Sequence, residues 1–274
     1  MNVPQPRRTA DLAGDLGHSQ EPSMDVLVSP RDHRDIRPRV ANLPRPEPVG
    51  RYARPARRAE SYYRKGAGLS ALLSGLLVFV SILMIPFDGI GTEGYLRSNA
   101  EHPDAIRWAA VVLHYGFLLL VPASFGMAYL SRRGARRTSN LGLLLAGLGS
   151  GLSGLVAVDF YDLALATTLP MDQAVEVHEA AGALAGAAPA FIQVPSVFGT
   201  LVGTTLLAIA FRRAGFGGWT APAAMLVGWV VFLVGAQHFA AAAAGTGLIA
   251  VATALIGVRI LYASDTEWET GIPD

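Results

Sequence analysis

The chain has 274 residues, 51% of them hydrophobic and 16% charged, with a formal net charge of +1 and a positive mean hydropathy. The apolar residues run together instead of alternating with polar ones, so burial in a bilayer accounts for them better than one soluble core. The absence of cysteine excludes disulfides, thiol nucleophiles, thiolate metal sites and iron–sulfur clusters, and leaves His and carboxylate side chains to hold any metal.

Residues 1 to 65 contain nine of the 17 prolines and 13 of the 22 Lys and Arg residues. They show no sustained helical or strand periodicity, and they are expected to form a disordered, basic, proline-rich cytoplasmic tail. Arg7 and Arg8 are followed by no apolar stretch of the secretory kind. At the end of this segment Arg51, Arg54, Arg57, Arg58, Arg64 and Lys65 gather against one acid, Glu60. Such a cluster is drawn to anionic lipid headgroups by about 1 kcal/mol per basic residue, and it holds the first span with its amino end inside.

Six apolar stretches follow, at 68 to 86, 107 to 130, 140 to 160, 190 to 211, 221 to 238 and 243 to 262. Each is close to the ~20 residues that a helix needs to cross ~30 Å of hydrocarbon. The predicted fold is therefore all-α and polytopic, with six transmembrane helices in residues 66 to 263 and a short cytoplasmic tail at 264 to 274. The second and fourth stretches contain Pro122 and Pro195, which favour kinks. Small residues recur four apart at Gly147 with Gly151, Ser150 with Gly154 and Gly199 with Gly203, a spacing that predicts close helix packing.

Charge alternates across the connections. Arg132, Arg133, Arg136 and Arg137 follow the second stretch, and Arg212 and Arg213 the fourth. The other connections carry Asp88, Glu93, Glu101, Asp104, Asp159, Asp162, Asp172, Glu176 and Glu179, relieved by Arg97 and Arg107. Basic residues stay on the cytoplasmic side, so both termini are expected inside a plasma membrane, and the even number of spans agrees.

This orientation collects the remaining polar side chains in the outer half. His114 lies two turns inside the second stretch, Asp159 and Asp162 end the third, His178 precedes the fourth, and Gln237 with His238 end the fifth. Asp159 and Asp162 are three apart and share a face if the helix continues through them, with Asp162 expected to be the more solvated. An ionisable residue such as His114 within a span is a functional candidate by default. The expected function is binding or transport of a cation, proton or small polar solute at this outward-facing cluster. The alternative is a non-catalytic scaffold or accessory subunit of a membrane complex, partnered by another membrane protein or a second copy.

Two enzyme-like readings make further demands on the same residues. A metal-dependent membrane hydrolase requires Asp159, His178 and His238 to converge. A b-type haem between His114 and His238 lacks the four intramembrane histidines of two-haem, six-span cytochromes. No phosphate loop, dinucleotide fingerprint, nucleophile elbow or HExxH motif is present, and the tail lacks the aromatic platforms of a nucleic-acid reader. Catalysis, cofactors and nucleic acid are accordingly not expected.

The stretches Leu113-His114-Tyr115-Gly116 leading to Val121-Pro122, Val158-Asp159-Phe160-Tyr161-Asp162-Leu163, and Gly182-Ala183-Leu184 leading to Pro195 resemble those of bacterial six-span integral membrane proteins to which no activity is assigned. The resemblance covers about residues 66 to 262. It implies the six-helix architecture and carries over no catalytic or binding residue.

Overall fold

The computed structural model describes residues 53–86, 91–149, 156–235 and 238–274, the side chains of 53–60 and 188–189 excepted. Regular structure among the described residues is helical throughout: α1 (Ala53–Met84), α2 (Gly91–Glu101), α3 (Pro103–Ser131), α4 (Arg136–Gly149), α5 (Val156–Thr168), α6 (Met171–Ala185), α7 (Ala188–Arg213), α8 (Thr220–Gly235), α9 (Phe239–Leu261) and α10 (Asp265–Thr270). Among the described residues, four helical segments are long and apolar enough to cross a membrane: Ser61–Met84 within α1, α3, Ala190–Arg213 within α7, and α9. The fifth predicted stretch is the 16-residue α8, about 24 Å long. The third is carried by two helices, α4 ending at Gly149 and α5 starting at Val156.

Element boundaries follow local chemistry. The α1 helix stops at Met84, two residues before Pro86, whose ring disfavours helical geometry at the preceding residue. Proline occupies the first turn of α3 and of α7, where its missing N–H has no helical partner to lose. Pro122 and Pro195 lie inside α3 and α7. The start of α1 corrects the tail boundary predicted at residue 65, because the helix of the first span runs back to Ala53. The Ala, Arg, Glu and Lys residues of this stretch are good helix formers, and they extend a helix nucleated by the apolar span. Residues 1 to 52, including Arg51, lie outside the described residues.

The α1 helix packs between α3 and α9, α8 packs on α9, and α4 packs on α7. Glycines set several of the close approaches. A Cβ on Gly75 of α1 would lie 2.0 Å from Thr253 Oγ1 of α9, and one on Gly203 of α7 would lie 2.2 Å from the Ala146 backbone nitrogen of α4. Without side chains at these points the backbones meet, as small residues in membrane helices allow. Gly199 likewise sits against the Leu145 carbonyl, so the predicted Gly199 and Gly203 pairing marks a packing face. The α4 face that receives it is Gly142, Ala146 and Gly149. Gly147 is instead exposed, and a Cβ there would meet nothing within 4 Å. It lies about 100° around the helix from Ala146, off the seam, while its predicted partner Gly151 and the separate Ser150 and Gly154 pair are outside the described residues.

The arginine-bearing ends of α1, α3, α7 and α9 collect at one end of the bundle. A Cβ on Gly134 would lie 2.7 Å from Ala214 Cα, so the turns after α3 and after α7 touch. The C-terminal α10 ties this end together. Arg64 of α1 donates to Asp265 at 2.6 Å, Arg132 to the Trp268 carbonyl at 3.0 Å, and Arg259 of α9 to Glu267 at 3.1 Å. A capping box opens α10, with Glu267 N–H donating to Ser264 Oγ and Ser264 N–H donating to the Glu267 carboxylate, which satisfies two otherwise orphaned donors. Trp268 then joins Leu130, Phe211, Phe216 and Ile260 in the apolar core of this end.

Candidate functional site

At the opposite end α2, α5 and α6 form a small cap held by Leu96, Ala166 and Ala174. Each cap helix pairs its apolar anchor with a polar residue three or four positions away, which places both on one face: Leu96 with Asn99, Ala166 with Asp162, and Ala174 with His178. Anchoring the three helices therefore delivers three polar groups to the same interior. Asp162 is buried, at 3% exposure, and its carboxylate lies 2.9 Å from His178 Nδ1. Asp159, one turn before it on α5, is half-buried and lies within the electrostatic reach of Asp162.

Tyr95 completes the cluster. It precedes Asn99 by four residues on α2, and its hydroxyl end reaches Asn99 and Asp162 while the ring leaves the residue 37% exposed. Burial of that hydroxyl pushes the phenol up to about 12, opposed by the hydrogen bond to Asn99 and reinforced to a lesser degree by the negative charges of Asp159 and Asp162. The group stays protonated and a donor. Asn99 itself has 0% exposure, and neither its Nδ2 nor its Oδ1 makes a hydrogen bond of good geometry. A buried amide left in this way costs about 1–3 kcal/mol.

The charge balance of the cap is one-sided. Arg97 is paired with Glu93 at 2.6 Å and Arg107 with Asp104 at 2.7 Å, both on their own helices. Among the described residues, the ion-pairing partner of Asp162 is His178, and a histidine is charged only when protonated. Among the described residues, two carboxylates and the Asn99 amide thus meet around the Tyr95 hydroxyl with no arginine or lysine ion-paired to them.

The sequence-predicted residues divide accordingly. Asp162 and His178 come together, and Asp159 lies one turn before Asp162 on α5, within its electrostatic reach. Asp162 is the buried member of the acidic pair and Asp159 the more exposed, the reverse of the expectation, because the helix through Val156–Thr168 continues beyond the predicted end of the span and turns Asp162 inward with Leu163 and Ala166. His114 is half-buried on α3 and packs edge-on against Tyr115 at 5.5 Å. His238 is exposed at the start of α9, and Gln237 lies outside the described residues, as does Asp88. Among the described residues no three His, Asp or Glu side chains are gathered to hold a metal ion, so the convergence of Asp159, His178 and His238 required by a metal-dependent hydrolase is not present.

Tyr95 and Asn99 were not anticipated. Their i, i+4 spacing with Leu96 between them marks a helix face with one apolar and two polar residues, a pattern visible in the sequence once Gly91–Glu101 is recognised as a helix. Of the basic residues predicted to meet headgroups, Arg64 is turned inward to Asp265, with its side chain 11% exposed, Lys65 is exposed, and Arg54, Arg57 and Arg58 lie on the first turns of α1. No family model, curated protein or solved structure matches the chain.

Proposed function

We propose that this is a six-span plasma-membrane protein with both termini in the cytoplasm, whose outward-facing cap binds a small cation as the first step of transport or sensing. In this reading α4 and α5 together make the third crossing, and α8 makes the fifth. The arginine-bearing end lies at the inner leaflet, and the cap of α2, α5 and α6 lies outside. The observation that carries the proposal is the buried Asp162 beside Asp159 and an unsatisfied Asn99, with the neighbouring arginines bound elsewhere. A bound cation supplies the missing positive charge, and its ligand field or N–H groups engage the Asn99 carbonyl. Charged groups buried without compensation are costly, so occupation stabilises the cap.

The test is thermal unfolding of purified protein titrated with sodium, potassium, magnesium, calcium and methylammonium salts at constant ionic strength. One of these raises the unfolding temperature of the parent chain and leaves Asp162→Asn unshifted. Equal shifts in parent and variant, or none in either, contradict the reading.

The scaffold reading has its own support. Residues 190 to 195 of α7 are all exposed, so this helical turn and a half presents every face to its surroundings and leaves room for a partner helix. Isolation of the native complex in mild detergent discriminates: a stoichiometric partner that protects Phe191 and Ile192 from labelling supports the scaffold, and a monomer removes it.

A further inference from the structure

A second feature lies at the arginine-bearing end. Between α1 and α3 runs a groove of about 640 Å³, floored by Gly66, Ala67 and Gly126, walled by Pro122 and Phe125, and closed at its end by Trp268 of α10. Gly126 brings α3 onto α1, since a Cβ there would lie 2.5 Å from the Ala67 Cβ, whereas a Cβ on Gly66 would meet nothing within 4 Å. The helices touch at Gly126 and again, further along, where Gly116 meets Val78, and an open channel lies beside the first contact. From Tyr62 to Ser70 the channel follows about 12 Å of helix, most of the ~15 Å hydrocarbon depth of one leaflet.

The mouth differs chemically from the channel. Tyr62 and Tyr63 are 75% and 72% exposed, and tyrosines of this kind sit at headgroup level. Lys65 is exposed next to them, at the end of the basic run that begins at Arg51. Arg64 and Arg132 are committed to holding the wall in place, through Asp265 and through the Trp268 carbonyl and the Tyr129 ring. A second lateral groove, between α1 and α9, offers a contrast: about 770 Å³ lined by Leu72, Leu76, Phe79, Leu248 and Val251, with no tyrosine or cation.

We infer that the α1–α3 groove is a binding site for an anionic phospholipid, with one acyl chain lying along Gly66, Ser70 and Phe125 and the headgroup between Lys65 and the exposed tyrosines. A groove opening sideways from two membrane-spanning helices is filled from within the bilayer plane, and the charge of Lys65, exposed one residue before the groove-lining Gly66, favours negative headgroups. The inference rests on the membrane embedding proposed above and is independent of the outer cap.

The test uses the full chain in nanodiscs containing phosphatidylglycerol or phosphatidylcholine with a diazirine on the acyl chain, and maps the labelled peptides. With the anionic probe, labelling between Tyr62 and Ser70 and between Pro122 and Tyr129 exceeds that at Leu76 and Leu248. Gly66→Leu, which fills the channel without a clash, removes the excess and leaves Leu248 labelling unchanged. Lys65→Gln lowers the preference for the anionic over the zwitterionic probe about fivefold. Equal labelling of the two grooves, labelling indifferent to Gly66→Leu, or equal labelling by both probes overturns the inference. Protection of Tyr62 and Tyr63 accompanied by dimers in native mass spectrometry also overturns it, by assigning the groove to a second copy. Absence of labelling anywhere along α1 overturns the membrane embedding itself.

Discussion

Asn99 and Glu267 illustrate opposite ways of placing a polar group in this molecule. Asn99 is fully enclosed without well-formed hydrogen bonds, and replacing such a group by an apolar one of similar shape is neutral or stabilising. Asn99→Leu is therefore expected to unfold at or above the parent temperature in cation-free buffer, and to lose the stabilisation by cation seen in the parent. A loss of stability of ~2 kcal/mol or more in cation-free buffer would instead mean that Asn99 is satisfied within the fold. Glu267 is buried but fully engaged. The Arg259 guanidinium hydrogen-bonded to it, followed by the Ser264 and Asp274 backbone N–H groups, holds its carboxyl below the usual range despite burial. A depressed folded-state pKa contributes stability above the unfolded value, and that contribution is lost as pH falls through the folded value. Docking of α10 is expected to loosen on acidification below the ordinary carboxylate range, read as increased hydrogen exchange at Thr266 to Gly271. Glu267→Gln is expected to show that exchange already at neutral pH.

The helices owe their packing to residue positions that a spacing rule captures only in part. Gly203→Leu places a side chain where a Cβ already lies 2.2 Å from the Ala146 nitrogen, and is expected to cost at least about 1–3 kcal/mol by forcing α4 from α7. Gly147→Leu on the neighbouring helix points outward and is expected to stay within about 0.5 kcal/mol of the parent. Unfolding in mixed micelles measures both. The apolar runs, their prolines and the Gly199 and Gly203 seam were legible in the sequence, because each depends on a local period or on a residue that cannot make an ordinary helical bond. The α4 side of that seam was not, since Gly142, Ala146 and Gly149 mix residue types and spacings of three and four. The cap was half legible. Asp159, Asp162 and His178 stood out as ionisable residues near apolar stretches, but α2 and α6 are short and polar enough to read as loop. Without α2 neither Tyr95 nor Asn99 has a reason to turn inward. The C-terminal segment was missed as a helix for the same reason, although Ser264 followed by Glu267 is the spacing of a capping box.

At the scale of the whole molecule, the fold separates two chemistries. One end holds arginines bound to α10 and to backbone carbonyls, and the other holds carboxylates, an imidazole, a phenol and an uncompensated amide. Their separation through the bundle exists whatever the surroundings; its meaning depends on the cap facing outward. Because the chain contains no cysteine, single cysteines can be introduced and labelled without background. Gln173→Cys on α6 and Thr266→Cys on α10 are both exposed positions, one at each end. In intact cells treated with a membrane-impermeant maleimide, Gln173→Cys is expected to be labelled and Thr266→Cys to react only after lysis. Labelling of Thr266→Cys in intact cells, with Gln173→Cys protected, would invert the protein in the membrane and contradict an outward-facing cation site.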